Sequence, residues 1–181
     1  MLENLIIKNY RPFKTFKLDQ IARVNLIVGS NNAGKSSLLE AIYLLTSTDV
    51  VSSFIYILNE RGEFILEPPD TRLAGRQLGN YQISHIFHGH TLAIDSAIEI
   101  GDETAKVPSL KIFVSKNLQL ALPILDSDDD DEDQGEKLVF EHIRFGLEPN
   151  KQALKITVDG LLSDRAYRPF SRRIITADRS A

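Results

Sequence analysis

The residue types best suited to chemistry lie close together in one short loop. Residues 29–36 read Gly-Ser-Asn-Asn-Ala-Gly-Lys-Ser, which fits the pattern GxxxxGK[ST]. In that pattern the glycines, here Gly29 and Gly34, let the backbone fold closely around a phosphate while backbone amides point inward. The start of the following helix adds a positive field. The loop therefore predicts a binding site for the phosphates of a nucleotide.

Individual positions of the loop have distinct expected roles. We expect Lys35 to reach the β- and γ-phosphates and neutralise the charge that grows during phosphoryl transfer. The hydroxyl of Ser36 is the expected ligand of Mg²⁺, which bridges phosphate oxygens. Asn31 and Asn32 tolerate the left-handed backbone angles that such a loop needs. The predicted nucleotide-binding residues of the loop are Gly29, Asn31, Asn32, Ala33, Gly34, Lys35, Ser36 and Ser37.

The segments on either side of the loop have the patterns needed to position it. Residues 24–28 form a short apolar run, as expected of a buried strand in a parallel sheet. Apolar residues then recur at helical spacing, which predicts one helix over about residues 34–46 and a second over about 50–59. Strand, loop and helix thus follow one another in the order that phosphate binding requires.

Most of the remaining chain has the two-residue period of β-strands. Apolar residues near positions 5–7 and 16–18 predict an N-terminal hairpin. Further strands are predicted at residues 92–94, 98–100, 110–114, 118–122, 138–147, 154–158 and 173–176. We therefore predict an α/β fold with a mixed sheet that carries the loop and an adjoining antiparallel β-subdomain. The chain is predicted to form one lobe, divided into a core (1–66), a connecting segment (67–90) and the β-subdomain (91–181).

Composition narrows the possible environment and partners. The net charge of −4 is dominated by residues 126–133, which contain seven acidic residues, so the rest of the chain is mildly basic. The acidic loop 126–135 is predicted to be a mobile hairpin tip; Ca²⁺ binding and DNA mimicry are the alternatives. No cysteine is present, which excludes disulfides and thiolate metal sites. No apolar stretch can span a bilayer, and we expect a cytoplasmic protein with no membrane partner.

Two further clusters allow a functional and a purely structural interpretation. The histidines His85, His88 and His90 could ligate a metal, or they could be solvated side chains of a loop anchored by Phe87. An arginine-rich stretch near the end of the chain could contact nucleic-acid phosphates, or it could be an ordinary exposed turn and edge strand. Its basic residues are Arg165, Arg168, Arg172, Arg173 and Arg179.

Taken together, the N-terminal residues resemble the ATPase heads of the RecF, SMC and OLD group, within the ABC-type ATPases, and are similar to the AAA-type members of that group in particular. The resemblance lies in Leu5-x-Ile7-x-Asn9-Tyr10-Arg11-x-Phe13 and in the continuous stretch from Val24 to Ala41. The segments around Arg61-Gly62 and Ile86-Phe87 are similar to the part of these heads that leads into their antiparallel β-subdomain. The specific match covers about the first quarter of the chain.

The resemblance implies a nucleotide, a metal and partners. It implies that ATP and Mg²⁺ are bound, and that a homodimer or a second ATPase half closes over two ATP molecules. DNA or a nuclease is the implied target of the work that this closure drives. Because the first hairpin of these heads flanks the nucleotide, Arg11 is a further candidate contact for a phosphate or the base edge. The alternative is that Arg11 is a surface arginine beside a proline turn.

Two elements that such heads need for hydrolysis are missing from the sequence. A Walker B strand ending in Asp-Glu would hold Mg²⁺ and orient the attacking water, but residues 120–126 contain Pro123 and are followed by Ser127 rather than Glu. No Leu-Ser-Gly-Gly-like signature segment is present. Binding of GTP is disfavoured, because Asn150-Lys151-Gln152-Ala153 lacks the carboxylate that reads guanine.

Two hypotheses for function follow. The first is a Mg²⁺-dependent ATPase acting in DNA repair or defence, completed by missing sequence or by another chain. The second is a module that binds ATP or a partner without hydrolysis.

Overall fold

The computed structural model describes residues 2–66, 79–94, 96–102, 108–115, 136–144, 149–156 and 161–163. These residues form two α-helices and nine β-strands. The helices are α1 (Lys35–Thr46) and α2 (Val50–Glu60). The strands are β1 (Leu5–Tyr10), β2 (Phe13–Leu18), β3 (Phe64–Leu66), β4 (Gly79–Gln82), β5 (Ala97–Gly101), β6 (Ser109–Ser115), β7 (Glu136–Ile143), β8 (Asn150–Ile156) and β9 (Leu161–Ser163).

The strands belong to two antiparallel sheets. The larger has the order β2-β1-β5-β6-β7-β8, and the smaller has the order β3-β4-β9. The predicted N-terminal hairpin is confirmed, with Leu5 opposite Leu18, and so are the strands near residues 98–100 and 110–114. The strand predicted over residues 138–147 ends at Ile143, and the one predicted from residue 154 begins at Asn150. Residues 118–122 and 173–176 lie outside the described residues.

The prediction of a strand at residues 92–94 is wrong. These three residues form a loop that follows the short 3₁₀ turn His88–His90. Thr91 donates its hydroxyl to the carbonyl of Gly89, and the amide of Ser96 bonds to the carbonyl of Ala93. Local turn bonds of this kind compete with the ladder bonds of a strand. The apolar pattern was therefore too short to determine a strand.

One face of the large sheet is apolar and the other is charged. Across β1, β5, β6, β7 and β8, successive strands place Lys8, Glu99, Lys111, Glu141 and Lys151 opposite one another. This row alternates in sign, so each residue faces an oppositely charged neighbour on the solvent side. The opposite face is buried under α1 and α2, where Phe54 of α2 meets Phe140 of β7 edge to face at 5.1 Å. The helices are thus fixed against the sheet.

A buried histidine joins the end of α1 to the sheet. His142 on β7 is almost fully buried, and its Nε2 lies 2.8 Å from the carbonyl oxygen of Leu45. Burial lowers the pKa of His142, so the ring is neutral at pH 7 and Nε2 donates to this carbonyl. The contact satisfies one of the carbonyls that a helix leaves without an internal partner at its C-terminus. It holds the helix that follows the loop at a fixed place on the sheet.

The prediction of a buried parallel strand at residues 24–28 is wrong. This run has no strand structure, and Val24 and Leu26 are 87% exposed and Val28 is 78% exposed. Only Ile27 packs against the core. An apolar run becomes a buried strand only where neighbouring strands pair with its backbone. No such neighbour is present among the described strands, all of whose pairings are antiparallel, so the parallel pairing of a mixed sheet is not found there.

Because most of residues 24–28 are exposed, we expect substitutions there to have little effect on the stability of the fold. We expect Val24→Ala to change the free energy of unfolding by less than about 0.5 kcal/mol, as for other exposed sites. The same substitution at the buried Val114 of β6 is expected to cost about 2 kcal/mol, because it removes buried methyl groups and leaves a cavity. Urea denaturation followed by circular dichroism measures both. Equal losses at the two positions would show that residues 24–28 are buried in solution.

Candidate functional site

The loop at residues 29–36 has the backbone conformation of a tight turn that opens into a helix. Helix α1 begins at Lys35, directly after Gly34, whose φ of 88° is left-handed. The amide of Leu38 bonds to the Gly34 carbonyl at 2.9 Å, which closes the first helical turn. Asn32 is also left-handed, with φ at 64°, whereas Asn31 is not among the residues with positive φ. Of the two asparagines expected to tolerate this conformation, Asn32 is the one that adopts it.

Gly34 is required by space as well as by backbone angle. A Cβ at this position would lie 2.9 Å from Cζ of Phe13 and 3.1 Å from Cγ of Pro12. The turn between β1 and β2 therefore packs directly against the start of α1. At Gly29 a Cβ would meet only the Cβ of Ala33, at an ordinary contact distance of 3.5 Å. In this conformation, packing against neighbouring protein atoms requires a glycine only at Gly34, and the room that both glycines leave for a phosphate stays a prediction.

A pair of glycine substitutions separates these two requirements. Gly62, like Gly34, has a positive φ, but a Cβ there would meet nothing within 4 Å. We expect Gly62→Ala to cost about 1 kcal/mol through backbone strain alone. Gly34→Ala is expected to cost more and to weaken nucleotide binding, because the added methyl must push away Phe13 and Pro12. Thermal unfolding and nucleotide titration of both variants measure this, and equal effects would contradict the close packing.

The side chain of Lys35 lies across the mouth of the loop. Its Nζ donates to the carbonyls of Gly29 at 2.7 Å and Ser30 at 2.6 Å. An ammonium has three donors, so one remains for a further acceptor. The two carbonyls hold the ammonium at the loop, where a phosphate oxygen could become its third acceptor. Lys35 is thus positioned for an anion.

A cleft of about 460 Å³ opens over the loop. Seven of the nine predicted site residues, those of the stretch 31–37, line it together. Ser36 is exposed to this cleft, whereas Ser37 is buried beneath it. Gly29 does not line the cleft and contributes its carbonyl to Lys35 instead. The remaining lining residues are Pro12 and Arg61, which come from outside the loop.

Arg11 is not part of this cleft lining. Its guanidinium donates to both oxygens of Glu63, at 2.8 Å and 3.1 Å, and its side chain is only 9% exposed. Nε lies 2.8 Å from Oε2 of Glu40, an ionic contact that is not a well-aligned hydrogen bond. This arrangement contradicts the interpretation of Arg11 as an exposed surface residue, whereas its contact with a nucleotide stays a prediction. The structure places Arg11 in a buried network of charges.

Two side chains of the network, Arg11 and Tyr10, have pKa values above their usual ones. Burial opposes the charge of Arg11, but Glu63, Tyr10 and Glu40 outweigh it and raise the pKa of the guanidinium above its usual value. Burial raises the pKa of Tyr10, whose hydroxyl lies 3.3 Å from Glu40. Tyr10 therefore stays neutral and donates, while Arg11 stays charged throughout the working pH range. Arg11 therefore keeps its positive charge in its contacts with Glu63 and Glu40.

Arg61 is the residue of this site that the sequence did not single out for nucleotide binding. It follows α2, and its Nε and Nη2 lie 2.7 Å and 2.6 Å from Oε1 of Glu40. Its side chain is 36% exposed and lines the cleft over the loop. The sequence feature that could have indicated Arg61 is its place directly before Gly62 at the end of a helix. Gly62 adopts a φ of 67°, which ends the helix. Sequence spacing alone does not bring residue 61 next to residue 34.

The histidine cluster has the features of an anchored loop. Phe87 is fully buried, as the structural interpretation expected, and His88 Nδ1 lies 3.0 Å from the carbonyl of Arg11. The rings of His85 and His90 touch edge to face at 4.8 Å. Within the described part of the chain, no group of three or more metal-ligating side chains is brought together. The acidic loop 126–135 and the arginine-rich stretch lie outside the described residues.

Comparison with known proteins assigns this arrangement to a family. Residues 1–152 match the family described as AAA ATPase domain, which is most of the chain. The chain belongs to this family, as the resemblance in its N-terminal residues had indicated. The family assignment supports the binding of ATP, and the loop at residues 29–36 lies within the matched region. Neither helix is long and apolar enough to cross a membrane, nor is any other helix among the described residues.

Individual relatives share shorter stretches. An uncharacterized protein of Methanocaldococcus jannaschii is 46% identical over 61 residues, which cover 33% of this chain and 28% of that protein. An ATP/GTP phosphatase of Helicobacter pylori is 51% identical over 45 residues, which cover 25% and 12%. The DNA replication and repair protein RecF of Listeria welshimeri is 26% identical over 110 residues, which cover 61% and 26%.

The matched segments span between about an eighth and somewhat over a quarter of these relatives' own lengths. No solved structure matches the chain. The relatives therefore locate a shared ATPase-type region without describing the activity of the whole molecule.

Proposed function

We propose that this chain binds ATP together with Mg²⁺ in the loop at residues 29–36 and contributes that site to an ATPase. A second copy or a separate ATPase half is the proposed partner that completes the catalytic machinery. The proposal accounts for a phosphate-binding loop of the AAA type in a sequence that lacks a recognisable Walker B strand and signature segment.

One observation carries the proposal. Lys35 is held by the carbonyls of Gly29 and Ser30 at the mouth of a loop whose cleft is lined by residues 31–37. An ammonium fixed at the start of a helix adds its charge to the positive end of the helix dipole, and both attract an anion. Three linked phosphates are a suitable occupant for such a cleft.

Ser36 is the proposed protein ligand of Mg²⁺. Ser36 follows Lys35 in the chain and lines the cleft, and Mg²⁺ takes one or two protein oxygens together with phosphate oxygens and waters. The bound ion would neutralise phosphate charge that Lys35 alone cannot balance. No cluster of carboxylates is needed for this mode of binding, which agrees with the absence of a dedicated metal cage among the described residues.

The experiment that tests this function is an ATP titration with and without Mg²⁺. We expect wild-type protein to bind ATP more tightly when Mg²⁺ is present. Ser36→Ala should lose that enhancement while retaining metal-free binding. Ser30→Ala is the matched control, because Ser30 lies in the same loop and contributes its backbone carbonyl rather than its hydroxyl. ATP binding that ignores Mg²⁺ in all three proteins would refute the metal role.

The second candidate function, binding without hydrolysis, rests on the missing catalytic segments. Phosphate release from ATP by the purified chain separates the two. Turnover that disappears in Lys35→Ala would establish an ATPase and eliminate the binding-only module. Tight binding without turnover would favour the module. A role in DNA repair is proposed from the similarity to the DNA replication and repair protein RecF. A role in defence, and DNA or a nuclease as the eventual partner, are proposed from the resemblance of the N-terminal residues to the RecF, SMC and OLD group.

A further inference from the structure

Glu40 joins two arginines that come from different parts of the fold. It lies on α1, and its side chain is 17% exposed. Oε1 accepts from Nε of Arg61 at the end of α2, while Oε2 lies 2.8 Å from Nε of Arg11 after β1. A single carboxylate thus holds three elements together beside the loop.

The two arginines depend on Glu40 to different degrees. Arg11 also has the two-pronged contact with Glu63, so it keeps a carboxylate partner without Glu40. Arg61 has no acceptor among the described residues other than Glu40. Removal of the Glu40 carboxylate therefore frees Arg61 and leaves Arg11 paired. This asymmetry indicates that Glu40 is the residue that fixes where the Arg61 side chain lies.

The fixed position of Arg61 is at the nucleotide cleft. Nε and Nη2 are engaged by Glu40, and Nη1 has no partner in the described part of the chain. A guanidinium is planar and rigid, so holding one edge sets the direction of the other. Without Glu40 the long side chain would regain rotamer freedom, which costs binding energy when a ligand must order it again.

We propose that Glu40 is a positioning residue that presents the free edge of Arg61 to the terminal phosphate of the bound nucleotide. Arg61 then acts as the second cation of the site after Lys35 and makes the site prefer a nucleoside triphosphate to a diphosphate. The opposing charges of the network favour this role. The negative charges of Glu40 and Glu63 offset the positive charges of Arg11 and Arg61. Arg61 therefore stabilises a bound phosphate chiefly through a direct charge-assisted hydrogen bond, and less through its long-range electrostatic field. The inference rests on the proposed nucleotide site.

The test is the ratio of ATP to ADP affinity, measured by calorimetric titration in the presence of Mg²⁺. We expect Arg61→Ala to weaken ATP binding about tenfold, which is the loss of one charge-assisted contact, and to change ADP binding less than about twofold. Glu40→Ala is expected to lower the ATP to ADP ratio about fivefold. In the Arg61→Ala background the same Glu40 substitution should lower the ratio no further. Glu60→Gln, an exposed glutamate of α2, is the control.

The outcomes distinguish this inference from the proposed function. If neither nucleotide binds to the wild-type chain, the proposed function fails. If both bind but Arg61→Ala leaves the ratio unchanged, the role of Arg61 is refuted. If Glu40→Ala still lowers the ratio when Arg61 is already alanine, Glu40 does not act through Arg61. Thermal unfolding of each variant identifies any that is not folded. Arg61→Lys replaces a variant that fails to fold. It keeps the charge but not the planar fork, so we expect it to keep only part of the preference for ATP over ADP.

Discussion

Lys35→Ala is expected to lower the affinity for ATP by about 100-fold or more. The ammonium is held at the mouth of the loop by the carbonyls of Gly29 and Ser30, so it meets a phosphate without rearrangement. Loss of a charge-assisted contact of this kind corresponds to about 3 kcal/mol, which converts to the stated fold-change. Titration of Mg²⁺–ATP into both proteins measures the effect.

The control for this substitution is Lys14→Ala on β2. Lys14 is exposed, so its removal makes the same change in net charge outside the loop. We expect its ATP affinity to stay within about twofold of wild type, since an exposed charge outside the cleft is largely screened. Similar losses in both variants would show that overall charge, rather than the loop, holds the nucleotide. Unchanged ATP affinity in Lys35→Ala would show that the loop at residues 29–36 does not hold the nucleotide.

Arg11→Ala is expected to destabilise the fold by about 3–5 kcal/mol. The side chains of Arg11 and Glu63 are 9% and 11% exposed, and the substitution leaves the carboxylate of Glu63 without its arginine. Breaking a buried ion pair from one side has this large cost because a desolvated charge remains. Urea denaturation followed by circular dichroism gives the free energy of unfolding. The exposed Arg23 provides the matched control, for which we expect less than about 0.5 kcal/mol.

The same variant separates the structural role of Arg11 from a nucleotide contact. The structure predicts that folded Arg11→Ala protein binds ATP nearly as tightly as wild type, because the cleft is lined by other residues. Normal stability combined with weak ATP binding would instead favour the direct contact suggested by the resemblance. Replacing Arg11 and Glu63 together by Met and Leu should recover much of the lost stability, since no unpaired charge is left behind.

Local patterns predicted the elements whose packing partners are close in sequence. The loop at residues 29–36 leads directly into α1, and the two helices begin and end within a residue or two of their expected positions. The N-terminal hairpin followed from two short apolar patterns separated by a proline turn. In each case the residues that determine the structure are neighbours along the chain, so periodicity contains the necessary information.

Patterns failed where the outcome depends on distant partners. Residues 24–28 have the composition of a buried strand, yet no described strand pairs with them and four of the five residues are exposed. Arg11 and Arg61 are fifty residues apart, and nothing in their spacing shows that Glu40 lies between them. Burial, pairing and shared carboxylates are properties of the folded arrangement, and a single sequence read locally does not specify them.

The central claim is that the loop at residues 29–36 holds the phosphates of ATP. Backbone amide NMR of the chain, with and without Mg²⁺ and a non-hydrolysable ATP analogue, tests it most directly. The account predicts large shifts of the amides of residues 31–36, with those of the charged sheet face at Glu99 and Lys111 unchanged. Unshifted loop amides at saturating analogue, or shifts confined to another surface, would contradict it.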